Sequence, residues 1–201
     1  MKLESIVYAI AGVFFGLIAG WIIGTQQASM SPRATPAPAA ETAPPPSSPA
    51  PGGQPQAILD ESKVQALHTV AERDPKNAVA RAQLGNLYYD AGRYADAIKW
   101  YGESRALNPK DVNVSTDLGV SYYYNNQPDL ALKQLDQSLQ IDPKHTKTLL
   151  NIGVVRAFGK QDLKGATEVW KRLVDIAPDS QEGRQAKQAL DSLSSAHANV
   201  Q

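Results

Sequence analysis

The sequence predicts an all-α fold: a solenoid of antiparallel helix pairs, preceded by one apolar helix at the amino terminus. Three observations carry this reading. Leu84-Gly85, Tyr88, Ala97, Tyr101 and Pro109 return 34 residues later as Leu118-Gly119, Tyr122, Ala131, Leu135 and Pro143, and again as Ile152-Gly153, Ala166, Trp170 and Pro178. Between these landmarks the apolar residues recur at helical spacing rather than in alternation. Nine of the 14 prolines fall between Pro32 and Pro55, so the repeats begin only after them.

The first element is a membrane anchor. No charge appears from Ser5 to Pro32, and Ile6 to Ile23 are apolar or small. That is about the length a helix needs to cross ~30 Å of hydrocarbon. Tyr8 and Trp21 stand near its two ends, where amphipathic rings prefer the interface. A cleaved signal peptide would have an apolar region of ~7–15 residues and a small-x-small site. Here Gln26-Gln27-Ala28 puts a bulky residue first, which favours an uncleaved signal anchor over about residues 5–26, within a segment 1–27. Lys2 and the amino group flank one end closely, while Arg33 lies well beyond the other. The positive-inside rule then leaves the amino terminus in the cytoplasm and the rest of the chain outside. Gly12, Gly16, Gly20 and Gly24 form one stripe along this helix. A backbone bared in this way packs closely against a second copy or another membrane protein.

Residues 28–57 form the linker. Within it, Ser31 to Gln56 is rich in Pro, Ala and Ser and has no large apolar residue, so the segment buries too little surface to fold. About 26 residues at ~3.1 Å each give an upper reach near 80 Å. It is a spacer that lets the domain search away from the bilayer.

The folded domain spans residues 58–195. It begins with a helix over Ile58 to Arg73 that Asp74-Pro75 ends. Pro75 lies one period before Pro109, so this helix takes the place of the second helix of a repeat whose first helix is missing. The repeats follow at about 78–111, 112–145 and 146–179. In the first, helices over Asn77 to Asp90 and Tyr94 to Leu107 flank a turn at Ala91-Gly92-Arg93. Gly85 and Ala97 are small where the helices cross. Pro128 opens the second helix of the second repeat at a position where a missing donor does no harm. The third repeat carries one extra residue, assigned to the Gly159 to Gly165 turn. Asp179-Ser180 caps a closing helix over 180–194, with Ala186, Leu190 and Leu193 on its inner face. Repeat arrays need such a polar-backed cap. Residues 196–201 form a disordered tail.

The pattern L-G-x2-Y…A-x3-F…P at this period resembles the tetratricopeptide repeat (TPR) family. The resemblance covers residues 58–195 and implies a TPR solenoid of about three full repeats with an amino-terminal half repeat, its first helices lining a concave surface. The chain departs from the pattern where a large early aromatic belongs: Arg81, Ser115 and Leu149 stand there. Carried over by register, the groove positions are Val79, Ala82, Asn86, Tyr89 and Asp90, then Asn113, Thr116, Val120, Tyr123 and Tyr124, then Lys147, Leu150, Val154, Ala157 and Phe158. Of these, Asn86, Tyr89, Asn113, Thr116, Tyr123, Tyr124, Lys147 and Phe158 are the expected binding residues. Tyr123 and Tyr124 either reach into the groove or pack against neighbouring first helices. Some TPR domains clamp a terminal carboxylate with two lysines, two asparagines and an arginine. Asn86 and Lys147 match, but Ala82, Asp117 and Asn151 occupy the other places, which argues for a polar or apolar ligand and against an acidic tail.

No chemistry is written in the chain. The 20 basic and 20 acidic residues cancel, and the repeats are themselves neutral, so no field gathers nucleic acid. Without cysteine there is no disulfide or thiolate metal site. His68, His145 and His197 lie on separate elements with no ligand spacing, and no HExxH, GxSxG or phosphate loop occurs. Neither a cofactor nor an enzyme activity is expected. The reading is a non-enzymatic scaffold that binds a protein or peptide in its concave groove, anchored in a bacterial inner membrane with its repeats in the periplasm. The layout is similar to envelope TPR proteins of cytochrome c maturation and to single-span TPR subunits near the secretion translocon. Glu168 to Asp175 resembles the former. The alternative is a stoichiometric subunit of a membrane complex, held by the glycine stripe.

Overall fold

The computed structural model describes residues 57–198, which form eight α-helices and, among the described residues, no strand. They are α1 (Glu61–Arg73), α2 (Ala78–Asp90), α3 (Tyr94–Leu107), α4 (Val112–Tyr124), α5 (Pro128–Ile141), α6 (Thr146–Val154), α7 (Leu163–Ile176) and α8 (Gln181–Ala198). A π-helical turn, Val155–Gly159, continues α6. Each helix packs on its neighbours in chain order, so the first helices α2, α4 and α6 alternate with the second helices α3, α5 and α7.

Local chemistry sets the helix ends. The first amides of α1, α2, α4, α7 and α8 are satisfied by the side chains of Asp60, Asn77, Asp111, Asp162 and Ser180. Pro128 begins α5, where no donor is lost. Within each repeat the turn needs one left-handed residue, supplied by Gly92 (φ 70°), Asn126 (φ 59°) and Gln161 (φ 55°). The next residue closes the turn. Arg93 N–H donates to the Tyr88 carbonyl at 2.8 Å, and Gln127 N–H to the Tyr122 carbonyl at 2.9 Å.

The third repeat closes the same way with one residue more: Asp162 N–H donates to the Arg156 carbonyl at 2.8 Å. This corrects the assignment of the extra residue to the Gly159–Gly165 turn. It lies between Arg156 and Asp162 and is taken up by the π-turn, whose wider ring Lys160 N–H closes on the Val155 carbonyl at 3.0 Å. The spacing from the left-handed residue to the buried alanine (Ala97, Ala131, Ala166) is unchanged.

The repeat landmarks form the core. Leu84, Ala97, Ala131, Leu135, Leu149, Ala166 and Trp170 are fully buried, with Tyr101 and Ile152 nearly so. The early position meant for an aromatic is filled in three ways. Arg81 reaches the carbonyls of Asn77 and Ala71 and pairs with Glu103. Ser115 accepts from Gln134 Nε2 and from Ser138 Oγ, both at 2.8 Å, in a buried polar layer. Leu149 is apolar core. At the far end α8 lays Ala186, Ala189 and Leu193 on the stack and turns Lys187 and Gln188 outward.

Among the described residues no helix is long and apolar enough to cross a membrane. The expected anchor over residues 5–26, its glycines Gly12, Gly16, Gly20 and Gly24, and the linker up to Gln56 lie outside the described residues.

Candidate functional site

Successive first helices present their residues side by side. Asn86 on α2, Asn113 on α4 and Lys147 on α6 are exposed, as are Val79 and Asp90 on α2. The exposed residues of this row are mostly polar, because the large side chains of each first helix point to the crossing with its second helix.

Several of these groups are already engaged. Asn86 Oδ1 accepts from the Tyr101 hydroxyl at 2.7 Å. Lys147 Nζ sits 2.6 Å from Asp117 Oδ1, so its charge is balanced within the protein. Of the two residues that matched the carboxylate clamp, Lys147 is therefore not a bare cation, while Asn86 is fixed through its Oδ1. Asp90 lies near Asp117. Burial, and then the Asp117 charge, raise its carboxyl above the ordinary value.

Four tyrosines lie ring against ring. Tyr124 stacks on Tyr94 with ring centroids 5.2 Å apart, and Tyr89 meets both edge-on at 5.5 and 5.8 Å. Tyr123 is tilted against Tyr124 at 5.3 Å. All four are half-buried. Burial pushes their hydroxyls up, that of Tyr123 to about 12, so they are neutral donors and acceptors at any physiological pH. Tyr123 and Tyr124 thus pack against their neighbours while keeping an open rim. Tyr94, at the start of a second helix, is not among the expected binding residues because its register is not a groove position.

Thr116 requires a correction. It is fully buried, and its hydroxyl donates to the Val112 carbonyl and lies 2.7 Å from Thr148 Oγ1, with His145 Nδ1 2.7 Å from the same Thr148 oxygen. Apposed first helices α4 and α6 close over it, so it joins the stack and presents nothing to a ligand. Val120 and Ala157 are buried as well, and Phe158 is half-buried against the Leu149–Trp170 cluster.

His68 packs edge-on to Trp100 at 4.7 Å and His145 belongs to the threonine pair; among the described residues no group of acids and histidines is placed to hold a metal.

Residues 85–126 match a family model described as a TPR repeat. No curated protein matches the sequence. Among solved structures, the fold is similar to MamA (residues 41 to the end) from Desulfovibrio magneticus RS-1, with a TM-score of 0.56 at 19% identity over 60% of this chain and 68% of that one. It is similar to the first TPR domain of human RPAP3, with a TM-score of 0.55 at 24% identity over 62% and 95% of the two chains. The first TPR of Spaghetti (RPAP3), solved bound to the HSP90 peptide SRMEEVD, has a TM-score of 0.54 at 23% identity over 60% and 95%. This chain carries a TPR repeat at residues 85–126, within an all-helical solenoid of the TPR fold.

Proposed function

We propose that this chain is a non-enzymatic scaffold that holds a protein or peptide segment along the first-helix face, tethered to a bacterial inner membrane by residues 5–26 with its repeats in the periplasm. The observation that carries the binding reading is the row Asn86, Asp90, Asn113 and Lys147 running beside the open rim of the tyrosine cluster. Aromatic rims with polar neighbours suit peptide recognition. The Spaghetti (RPAP3) TPR with its bound peptide is a precedent for the fold, but the ligand class differs here. With Lys147 paired to Asp117 and Asp90 close by, an acidic tail meets like charge. A polar or apolar segment of an envelope protein under assembly fits better. The uncharged run and its flanking Lys2 support the tether and its orientation.

The test is a photo-cross-linking residue at Asn113 in the full chain, expressed in membranes and extracted in mild detergent. A protein captured from Asn113, and lost with Lys147→Glu, supports the groove. Equal capture from Lys133 on a second helix, which is exposed, removes it. A reporter active only in the periplasm, fused after Gln201, should be active; an inactive fusion reverses the orientation.

A further inference from the structure

The array begins with half a repeat, and this leaves a gap of definite shape. Between α1 and α2 lies an open notch of about 450 Å³ lined by Lys63, Ala66, Leu67, Gln83, Asn86 and Leu87. Four of these are exposed and the two leucines only half-buried. One period later the same positions are Ala97, Trp100, Tyr101, Asp117, Val120 and Ser121. There, all but the half-buried Asp117 are buried. The difference is α2, which lies over α3, whereas among the described residues no preceding first helix lies over α1. The notch is thus the seat of a first helix that the described chain does not contain.

The repeats also say what such a helix must look like. In every full repeat a large apolar residue is followed by glycine, and the glycine faces one residue of the second helix: Gly85 faces Tyr101, Gly119 faces Leu135 and Gly153 faces Trp170. Leu67 occupies that second-helix place on α1. Its nearest analogue is Leu135, where a side chain on Gly119 would stand 2.8 Å from Leu135 Cγ. This chain's own segment in register, residues 44–56, reads PPPSSPAPGGQPQ, with proline at the glycine position. Six of its 13 residues are proline, which lacks the N–H that a continuous helix uses.

We infer that the notch is a docking site for a helix of a partner protein, about 13 residues long, that carries a large apolar residue followed by Gly or Ala and lays the small residue on Leu67. Such a helix completes the half repeat and buries the exposed methyl of Ala66 and the faces of Leu67 and Leu87. The site lies at the amino-terminal edge of the stack, on the side where the chain enters through Ala57, whose N–H donates to the Asp90 carbonyl at 2.9 Å. It is separate from the row of first helices proposed above, sharing only Asn86.

The experiment uses the full chain in mild detergent. The probe is a fluorescent peptide with the sequence of α4, VNVSTDLGVSYYY, the first helix that this protein already lays on a leucine, held helical by a staple on its outer face. It should bind saturably. Ala66→Arg, a change at an exposed position that leaves the circular dichroism of the chain intact, should weaken binding by about tenfold or more, as should Gly→Leu in the peptide. Asn113→Arg on the first-helix row should have no effect. Absence of saturable binding overturns the inference, as does binding indifferent to Ala66→Arg. Self-association of the chain that Ala66→Arg abolishes would make a second copy the occupant. A gain of about tenfold on deleting residues 44–56 would make it the chain's own linker. Either result overturns the partner helix.

Discussion

The Tyr101 ring occupies the space where a side chain on Gly85 would stand: a Cβ there would lie 2.5 Å from Tyr101 Cδ1 and 2.6 Å from Cε1. The ring is itself held, because its hydroxyl donates to Asn86 one residue beyond the glycine. Gly85→Ala should therefore destabilise the domain by about 1–3 kcal/mol, since the ring cannot move without losing that bond and the burial around it. Gly102 is the control. It sits inside α3, and a Cβ added there would meet nothing within 4 Å, so Gly102→Ala should stabilise by about 0.5–1 kcal/mol through helix propensity. Urea midpoints of the two variants should move in opposite directions.

The three left-handed turn residues make a graded series. Gly92 takes φ 70° without a steric penalty, Asn126 takes φ 59° at small cost, and Gln161 takes φ 55° at the full cost of a residue with a Cβ. Gln161→Gly should stabilise by about 1 kcal/mol, Asn126→Gly by less, and Gly92→Ala should destabilise by about 1 kcal/mol. Thermal unfolding of the three single variants checks the order. An equal effect at Asn126 and Gln161 would mean that backbone strain is not what separates them.

Much of this fold can be read from the sequence because the landmarks are packing constraints. Leu84-Gly85 and Tyr101 are spaced as they are because one must lie on the other, and a pattern that recurs in phase three times leaves little freedom. The prolines write the helix ends just as directly. The rest depends on which neighbour covers a residue. Thr116 has the register of a groove residue, yet Thr148 on the next first helix takes its hydroxyl. Tyr94 has no groove register, yet the geometry of the turn carries it onto Tyr124. The π-turn leaves only a count of one extra residue in the sequence, which does not say where a helix widens. The notch at Leu67 is half legible: the missing first helix follows from the position of Pro75, but the unfilled space is visible only in three dimensions.

Acid should weaken the seam between α4 and α6. His145 stands half-buried beside Thr148, and burial, more than any neighbouring charge, lowers its pKa from 6.5. The folded protein thus binds this proton less readily than the unfolded chain. The neutral ring's contribution is fully present above pH 6.5 and declines as the pH falls from there towards the lowered folded value. The urea midpoint should fall between pH 7.5 and pH 5.5. His145→Asn, which places at this helix start the residue that caps α2 at Asn77, should flatten that dependence. An unchanged slope in the variant would assign the acid sensitivity to another group.

Packing and binding roles of the tyrosines can be separated by a double-mutant cycle on Tyr94 and Tyr124. Their rings are stacked at 5.2 Å and 21°, across the boundary between the first and second repeats. Tyr94→Ala and Tyr124→Ala should each destabilise the domain. Together they should cost less than the sum by about 0.5–1.5 kcal/mol, the coupling of an aromatic pair beyond its area burial. Tyr123 provides the contrast. It lies against Gly159, where a Cβ would approach its ring to 3.1 Å, and so links the second repeat to the π-turn of the third rather than to Tyr94. The Tyr94–Tyr123 cycle should therefore be close to additive. Coupling as large for Tyr123 as for Tyr124 would mean that the four rings act as one unit. In that case, loss of partner capture on changing Tyr123 would report a disturbed stack rather than a lost contact.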